Sequence, residues 1–248
     1  MAKAPANAKD LHGKVVLVTG ASRGIGYAAA REAARRGAHV IAVARTVGGL
    51  EELDDEIQDL GSSATLVPLD IKDGDAIDRL GAAIFERWGM LDGLIGNAGL
   101  LGTLSPLPQI APEEFANVMA TNVTANFRLL RSMDLLLRQA AAGRVAFVSS
   151  SSARSARPYW GLYAASKAAL DAMVKSYAGE MGTTKVKANL FYPGAVRTAM
   201  RARAMPGEDP DTLPRPAEIA PRLVDLLSPT LTQTGMLYNM QDGAFSAL

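Results

Sequence analysis

KVVLVTGASRGIG, residues 14–26, is the stretch on which the reading of the chain turns. KVVLV (14–18) is short, apolar and rich in valine, as a buried strand is. It runs into TGASRGIG (19–26), with glycines at 20, 24 and 26. An alanine-rich, helix-like stretch from Ile25 to Arg36 comes next, and Gly37 stops it. A strand that turns through glycine into a helix makes an anion site. The backbone can approach a phosphate closely, and the helix N-terminus presents N–H donors and positive dipole. The spacing is not the G-x-G-x-x-G of the usual dinucleotide fingerprint, and glycine in such turns is often structural. The position is what decides: directly after the first strand, before a helix, with a second strand, HVIAVA (39–44), behind it. Gly20, Ser22, Arg23, Gly24, Ile25 and Gly26 are the candidate phosphate contacts.

The same alternation continues outward. Helical stretches are expected at 50–60, 75–88, 112–140 (as one helix or two), 160–181 and 216–227. Strands are expected at 65–70, 91–99 (with its turn), 144–150, 185–193 and 235–241. Short connections and continuous apolar strands imply crossover helices on both faces of a sheet. The expected fold is α/β, a doubly wound Rossmann-type sheet of about seven parallel strands, in one domain over 1–248. Residues 1–12 read as a flexible leader. Residues 199–215, rich in proline, glycine and charge, read as a substrate lid rather than a plain surface loop.

Composition narrows the function. Hydrophobic residues are 48% of 248, enough for a sizeable core. The net charge of +1 asks for neither nucleic acid nor an anionic membrane. The absence of cysteine excludes disulfide and thiolate chemistry. His12 and His39 are too few and too scattered for a metal site. No secretory signal and no run of the ~18 apolar residues needed for a membrane span is present. A cytoplasmic protein is expected.

Strand two ends Val43-Ala44-Arg45-Thr46, without the acid that takes the adenosine ribose in NAD binders. Arg45, with Arg23 beside it, can pair with a 2′-phosphate, so NADP(H) is expected over NAD(H). Asp70 in LDI (69–71), followed by Ile71, is placed either to meet the adenine amino group or to cap a turn. Asn97, Ala98 and Gly99 follow strand four at the edge where ligands bind in such sheets.

SSSSARSARPYWGLYAASK (149–167) holds the candidate chemistry. Tyr163 and Lys167 are four apart on an expected helix and share a face, whereas Tyr159 has no lysine at that offset. A free phenol titrates near ~10, and an ammonium nearby lowers that value. A Tyr–Lys pair can therefore protonate a carbonyl oxygen during reduction or deprotonate an alcohol during oxidation. A serine beside it would hold the substrate oxygen; which serine is left open by the spacing of these residues alone.

Together TGASRGIG, LDI, NAG, the asparagine of ATNVTANF, the serine run, YAASK and PGAVRT (193–198) resemble the short-chain dehydrogenase/reductase family in its compact form, in its order, from Lys14 to about Gly243. The chain is similar to bacterial 3-oxoacyl-carrier-protein-reductase-like oxidoreductases. The resemblance implies Ser150 as the catalytic serine and Tyr163 as the acid/base. It implies that Lys167 holds the nicotinamide ribose and that Asn122 anchors a relay water. Pro193, Gly194, Val196 and Thr198 become nicotinamide contacts. It also implies a homodimer or homotetramer. Two departures stand out: Gly96 replaces the first asparagine of the family's Asn-Asn-Ala-Gly, and the chain ends NMQDGAFSAL.

The expected activity is hydride transfer between NADP(H) and a small carbonyl or secondary alcohol. Leu100, Leu101, Pro158, Trp160 and Tyr192 would form an apolar pocket, and Arg197, Arg201 and Arg203 are solvated or meet an anionic group. A catalytically silent NADP(H)-binding protein is the alternative of another class; a nucleotide-sugar epimerase lacks support in the glycine spacing.

Overall fold

The structure, a computed structural model, describes residues 10–247. Seven strands pair in parallel: β1 (Val15–Thr19), β2 (His39–Ala44), β3 (Ser63–Pro68), β4 (Gly93–Gly96), β5 (Arg144–Val148), β6 (Lys187–Tyr192) and β7 (Met236–Asn239). β1 and β5 are buried at every position, as strands covered on both faces must be. The valines that made 14–18 legible therefore face helices on both sides. α1 (Gly24–Arg35), α2 (Val47–Asp59) and the late helix over Pro216–Asp225 cover one face with Ala29, Leu50, Leu53 and Leu223. α3 (Gly74–Trp88), a helix over Ala125–Gln139 and another over Gly161–Glu180 cover the other with Ile77, Leu129 and Leu170.

An eighth strand, β8 (Ala244–Ala247), turns back antiparallel onto β7. The sheet order is β3-β2-β1-β4-β5-β6-β7-β8. The chain leaves β1 toward β2 and β3, then returns to β4 on its other side. That reversal opens a crevice at the carboxyl ends of β1 and β4, where doubly wound sheets bind ligands. β8 went unread because four residues carry no usable periodicity. Its hold is tertiary: Phe245 meets Tyr238 edge-on at 5.2 Å, and Tyr238 stacks on Phe191 at 5.9 Å.

The chain departs from expectation in two further places. Of the expected leader, residues 1–9 lie outside the described residues. The rest of it is packed: Leu11 is buried, and its N–H bonds to the Arg36 carbonyl. The expected long helix is continuous but not uniform. α4 (Pro112–Met119) passes through a π-helical turn at Ala120–Thr124 into α5 (Ala125–Gln139). Such wide turns carry one extra residue and collect at functional sites; this one contains Asn122.

The Gly96 departure has a packing cause. Gly96 lies opposite Phe147 in the β4–β5 register, and a Cβ at 96 would stand 2.1 Å from the Phe147 ring. Phe147 is fully buried and fills the space a side chain there would need. Gly96→Ala is expected to destabilise the fold by about 1–3 kcal/mol through overpacking. Adding Phe147→Leu should restore part of that loss in denaturant titration. Independent, additive effects of the two substitutions would show that the ring is not the obstacle.

Candidate active site

The carboxyl ends of the strands enclose a cleft of about 600 Å³. Gly20, Ser22, Arg23, Gly24, Ile25, Arg45, Asp70, Ile71, Asn97, Ala98, Gly99, Ser150, Tyr163, Lys167, Pro193, Gly194, Val196 and Thr198 all line it. Of the expected catalytic and cofactor-binding residues, Gly26 and Asn122 do not. Both stand behind it.

The glycine turn is shaped for close approach. Gly20 and Gly24 have φ of +68° and +62°, in the left-handed region that disfavours a side chain. A Cβ at Gly26 would meet the Gly20 carbonyl oxygen at 2.3 Å, so α1 can dock on the turn only with glycine there. Asn97 fastens the turn to β4 by donating from Nδ2 to the carbonyls of Thr19 (3.0 Å) and Gly20 (3.4 Å). Thr19 Oγ1 in return accepts from the N–H groups of Asn97 and Ala98.

The residues present fit a phosphorylated dinucleotide. The N-terminus of α1 has no side-chain cap, so its first N–H groups are available to an anion. Arg23 makes no ion pair or side-chain hydrogen bond among the described residues, and Arg45 touches only Asp70, at 3.9 Å. Asp70 serves the turn as well, accepting from the Lys72 N–H at 3.0 Å, and it lines the cleft.

On the other side of the cleft, β5 ends and Ser149 and Ser150 follow. α6 (Ser152–Ser155) is a single turn, and then α7 (Gly161–Glu180) begins. Between the two helices Ala156 and Tyr159 take φ of +42° and +71°, which only an imposed loop shape holds for such side chains. Tyr163 and Lys167 sit one turn apart on the inner face of α7, both buried. Lys167 Nζ lies 5.8 Å from the centre of the Tyr163 ring and donates to the Val148 carbonyl at 2.9 Å. Trp160 packs edge-on against Tyr163 at 6.2 Å.

The electrostatics differ from the simple expectation that Lys167 depresses the Tyr163 pKa. Burial pushes Tyr163 up to about 12, with the Ser150 hydroxyl working against it and the Asp171 carboxylate adding to it. Burial pushes Lys167 down to about 8, with Asp171 working against it. In the free protein the phenol therefore keeps its proton at neutral pH, the form that donates.

Asn122 is fully buried, and its side chain is committed. Oδ1 accepts from Leu100 N–H at 2.7 Å, while Nδ2 donates to Leu100 O (2.8 Å) and Ser166 Oγ (2.9 Å). It thereby ties the loop after β4 to α7. Its own carbonyl accepts from Asn126 Nδ2 at 2.7 Å. The sequence offered no sign of Asn126 or of Asp171.

The 199–215 segment is more ordered than its composition suggested. Thr198 caps α8 (Ala199–Ala204) by accepting from Arg201 N–H at 3.1 Å. Two ion pairs, Arg201–Glu208 and Arg197–Asp211, both at 2.6 Å, fasten the stretch beyond α8. Those pairs take Arg197 and Arg201 out of the set of free cations, while Arg203, unpaired among the described residues, lines the cleft. Leu100, Leu101 and Trp160 line the cleft as expected. Pro158 is not part of the lining. Tyr192 is not either: its hydroxyl turns away to bond Asp171 at 2.5 Å.

Comparison with known proteins finds relatives along nearly the whole chain. The family model for short chain dehydrogenase matches residues 14–209. An uncharacterized oxidoreductase, YciK of Escherichia coli K12, is 38% identical over 237 residues, which is 94% of either chain. Its solved structure covers 97% of this chain and 100% of its own with a TM-score of 0.92. A short chain dehydrogenase from Escherichia coli CFT073, solved with NADPH, is 37% identical, with a TM-score of 0.91 over 95% of this chain and 99% of its own. Versicolorin reductase of Emericella nidulans is 36% identical over 192 residues, 77% of this chain and 72% of its own.

Proposed function

This chain belongs to the short-chain dehydrogenase family, and from that premise we propose that it is an NADP(H)-dependent reductase of small carbonyl compounds, with Tyr163 as the acid. One observation carries the reading. Ser150, Tyr163 and Lys167 converge on the cleft that also holds the uncapped end of α1 and the side chains of Arg23 and Arg45. The relative solved with NADPH supports the cofactor.

NADP(H), when bound, supplies or takes the hydride. The chain does the rest. Arg45 and Arg23 hold the 2′-phosphate, and the glycine turn with the first N–H groups of α1 holds the pyrophosphate. Lys167 has three N–H donors and gives one to Val148 O, so two are left for ribose hydroxyls. Ser150 donates to the substrate oxygen and orients it. Tyr163, protonated at neutral pH, gives its proton to that oxygen as it gains charge; oxidation of an alcohol runs the same transfer backwards. Asn122 fixes the loop after β4, and its carbonyl has a second lone pair for a relay water.

Leu100, Leu101, Trp160 and Met200 make the substrate end apolar, and α8 runs along it as the lid. Versicolorin reductase, among the relatives, is by its name a reductase, which supports the direction. Exposed Phe127 and Leu135 on α5 support self-association into a homodimer or homotetramer. NADPH consumption against a panel of ketones and aldehydes is the test. Oxidation of NADPH by apolar ketones is the expected result. Tight NADPH binding without turnover on the whole panel would favour the silent cofactor-binding protein instead.

A further inference from the structure

One half-buried carboxylate shares the helix that carries the reactive pair and has no part in the steps above. Asp171 is one turn beyond Lys167 and two beyond Tyr163 on α7, so all three share a helix face. Its two oxygens are held by two different strands. Ser149 Oγ, just past β5, donates to Oδ1, and Tyr192 OH, at the end of β6, donates to Oδ2 at 2.5 Å. Burial pushes the Asp171 carboxyl up, while the Ser149 and Tyr192 hydroxyls and the charges of Lys167 and Arg154 favour its ionised form. The strand ends held in this way are the two that deliver Ser150 and Pro193-Gly194 to the cleft.

Given the reductase reading above, we infer that Asp171 is a positioning residue for Tyr163 and Lys167, a half-buried anion that the ends of β5 and β6 hold on the helix face the pair shares. Four groups face it: Ser149 from β5, Tyr192 from β6, Lys167 on its own helix and Arg154 from α6. Arg154 also reaches the C-terminal strand, donating to Ala247 O at 3.2 Å, so β8 helps to close the cluster. Ser150, Lys167 and Asp171 are what Tyr163 faces in turn.

The effect of the anion has one sign on each partner. A negative charge disfavours the phenolate, so it holds the proton on Tyr163. It favours the ammonium, so it keeps Lys167 charged against the burial that would strip its proton. Both effects keep the pair in the state that carbonyl reduction requires. Near neutral pH the effect falls on Lys167, whose charge it protects, and at alkaline pH it extends the range over which Tyr163 stays protonated. Tyr192, expected at the pocket wall, has this structural task instead.

The test reads Tyr163 directly. The protein with NADP bound carries tyrosine labelled at its ring Cζ, and each of the six tyrosines gives its own carbon resonance. Tyr163→Phe identifies the Tyr163 signal. Asp171→Asn is expected to move the Tyr163 midpoint down by about one pH unit; Asp171→Ser gives the same loss of charge if the amide does not fit. Tyr192→Phe keeps the carboxylate and is expected to move it much less. An unmoved midpoint in both Asp171 variants overturns the assignment. So does a Tyr192→Phe shift as large as that of the Asp171 variants, because packing rather than charge would then set the midpoint. The titration uses no substrate, so it stands apart from the reductase reading, whose own failure would show as undiminished turnover in Tyr163→Phe.

Discussion

Replacing Tyr163 by phenylalanine is expected to lower turnover by about a hundredfold to ten-thousandfold, the contribution of a well-placed general acid. The substitution removes one hydroxyl and leaves the ring, which keeps its edge contact with Trp160 and its place under Lys167. Fold and NADPH affinity should therefore hold while kcat falls. The buried phenol, pushed up to about 12, is protonated across the physiological range. Reduction needs that proton and the Lys167 ammonium, so kcat/KM for a carbonyl substrate is expected to stay level through neutral pH, to fall first as Lys167 loses its charge at about 8, and to fall further at strongly alkaline pH as Tyr163 ionises. Alcohol oxidation needs the phenolate and is expected to rise with pH over the same range. Steady-state rates in both directions, with NADPH binding followed by its fluorescence, check this. Wild-type turnover in Tyr163→Phe would remove Tyr163 from the chemistry.

Arg45→Asp is expected to weaken NADPH binding by roughly 10- to 100-fold, the worth of one or two hydrogen bonds to a charged group. It is also expected to improve NADH, because the new carboxylate can take the ribose hydroxyls that the 2′-phosphate replaces. Arg45 is mostly exposed, and among the described residues its ion pair is with Asp70, at 3.9 Å, so its loss leaves the core intact. The ratio of the two dissociation constants is the measurement, since it cancels any general weakening of the site. An unchanged ratio would leave Arg23 alone, or neither arginine, as the phosphate partner.

The two ends of the site were unequally legible, and the reason is range. The cradle for the cofactor is local in sequence. A strand, three glycines and a helix within 14–36 already fix where the backbone turns and which N–H groups face outward, and Arg45 lies at the next strand end. The pairing of Tyr163 with Lys167 is local as well, because a helix alone puts residues four apart on one face. The choice of Ser150 from the serine run was not local. It came from the family spacing; Ser149, Ser150 and Ser151 all line the cleft, and there the Ser150 hydroxyl meets Tyr163 while that of Ser149 bonds Asp171.

Parallel pairing and burial on both faces also came from the sequence, since alternating apolar strands and amphipathic helices with short connections have few other ways to fold. Tertiary contact decided what periodicity does not carry. Gly96 is glycine because Phe147 comes from the neighbouring strand to fill its place. β8 forms because β7 offers a free edge and Tyr238 a ring to pack on. The irregular 199–215 stretch gains order from two ion pairs between residues seven and fourteen apart. Asp171 looks like an ordinary polar residue on an amphipathic helix until β5 and β6 bring Ser149 and Tyr192 to its carboxylate. The chain alone specified which groups can do the chemistry. Only the packed sheet decided which charge they face, because that charge comes from residues brought together across three elements rather than along one.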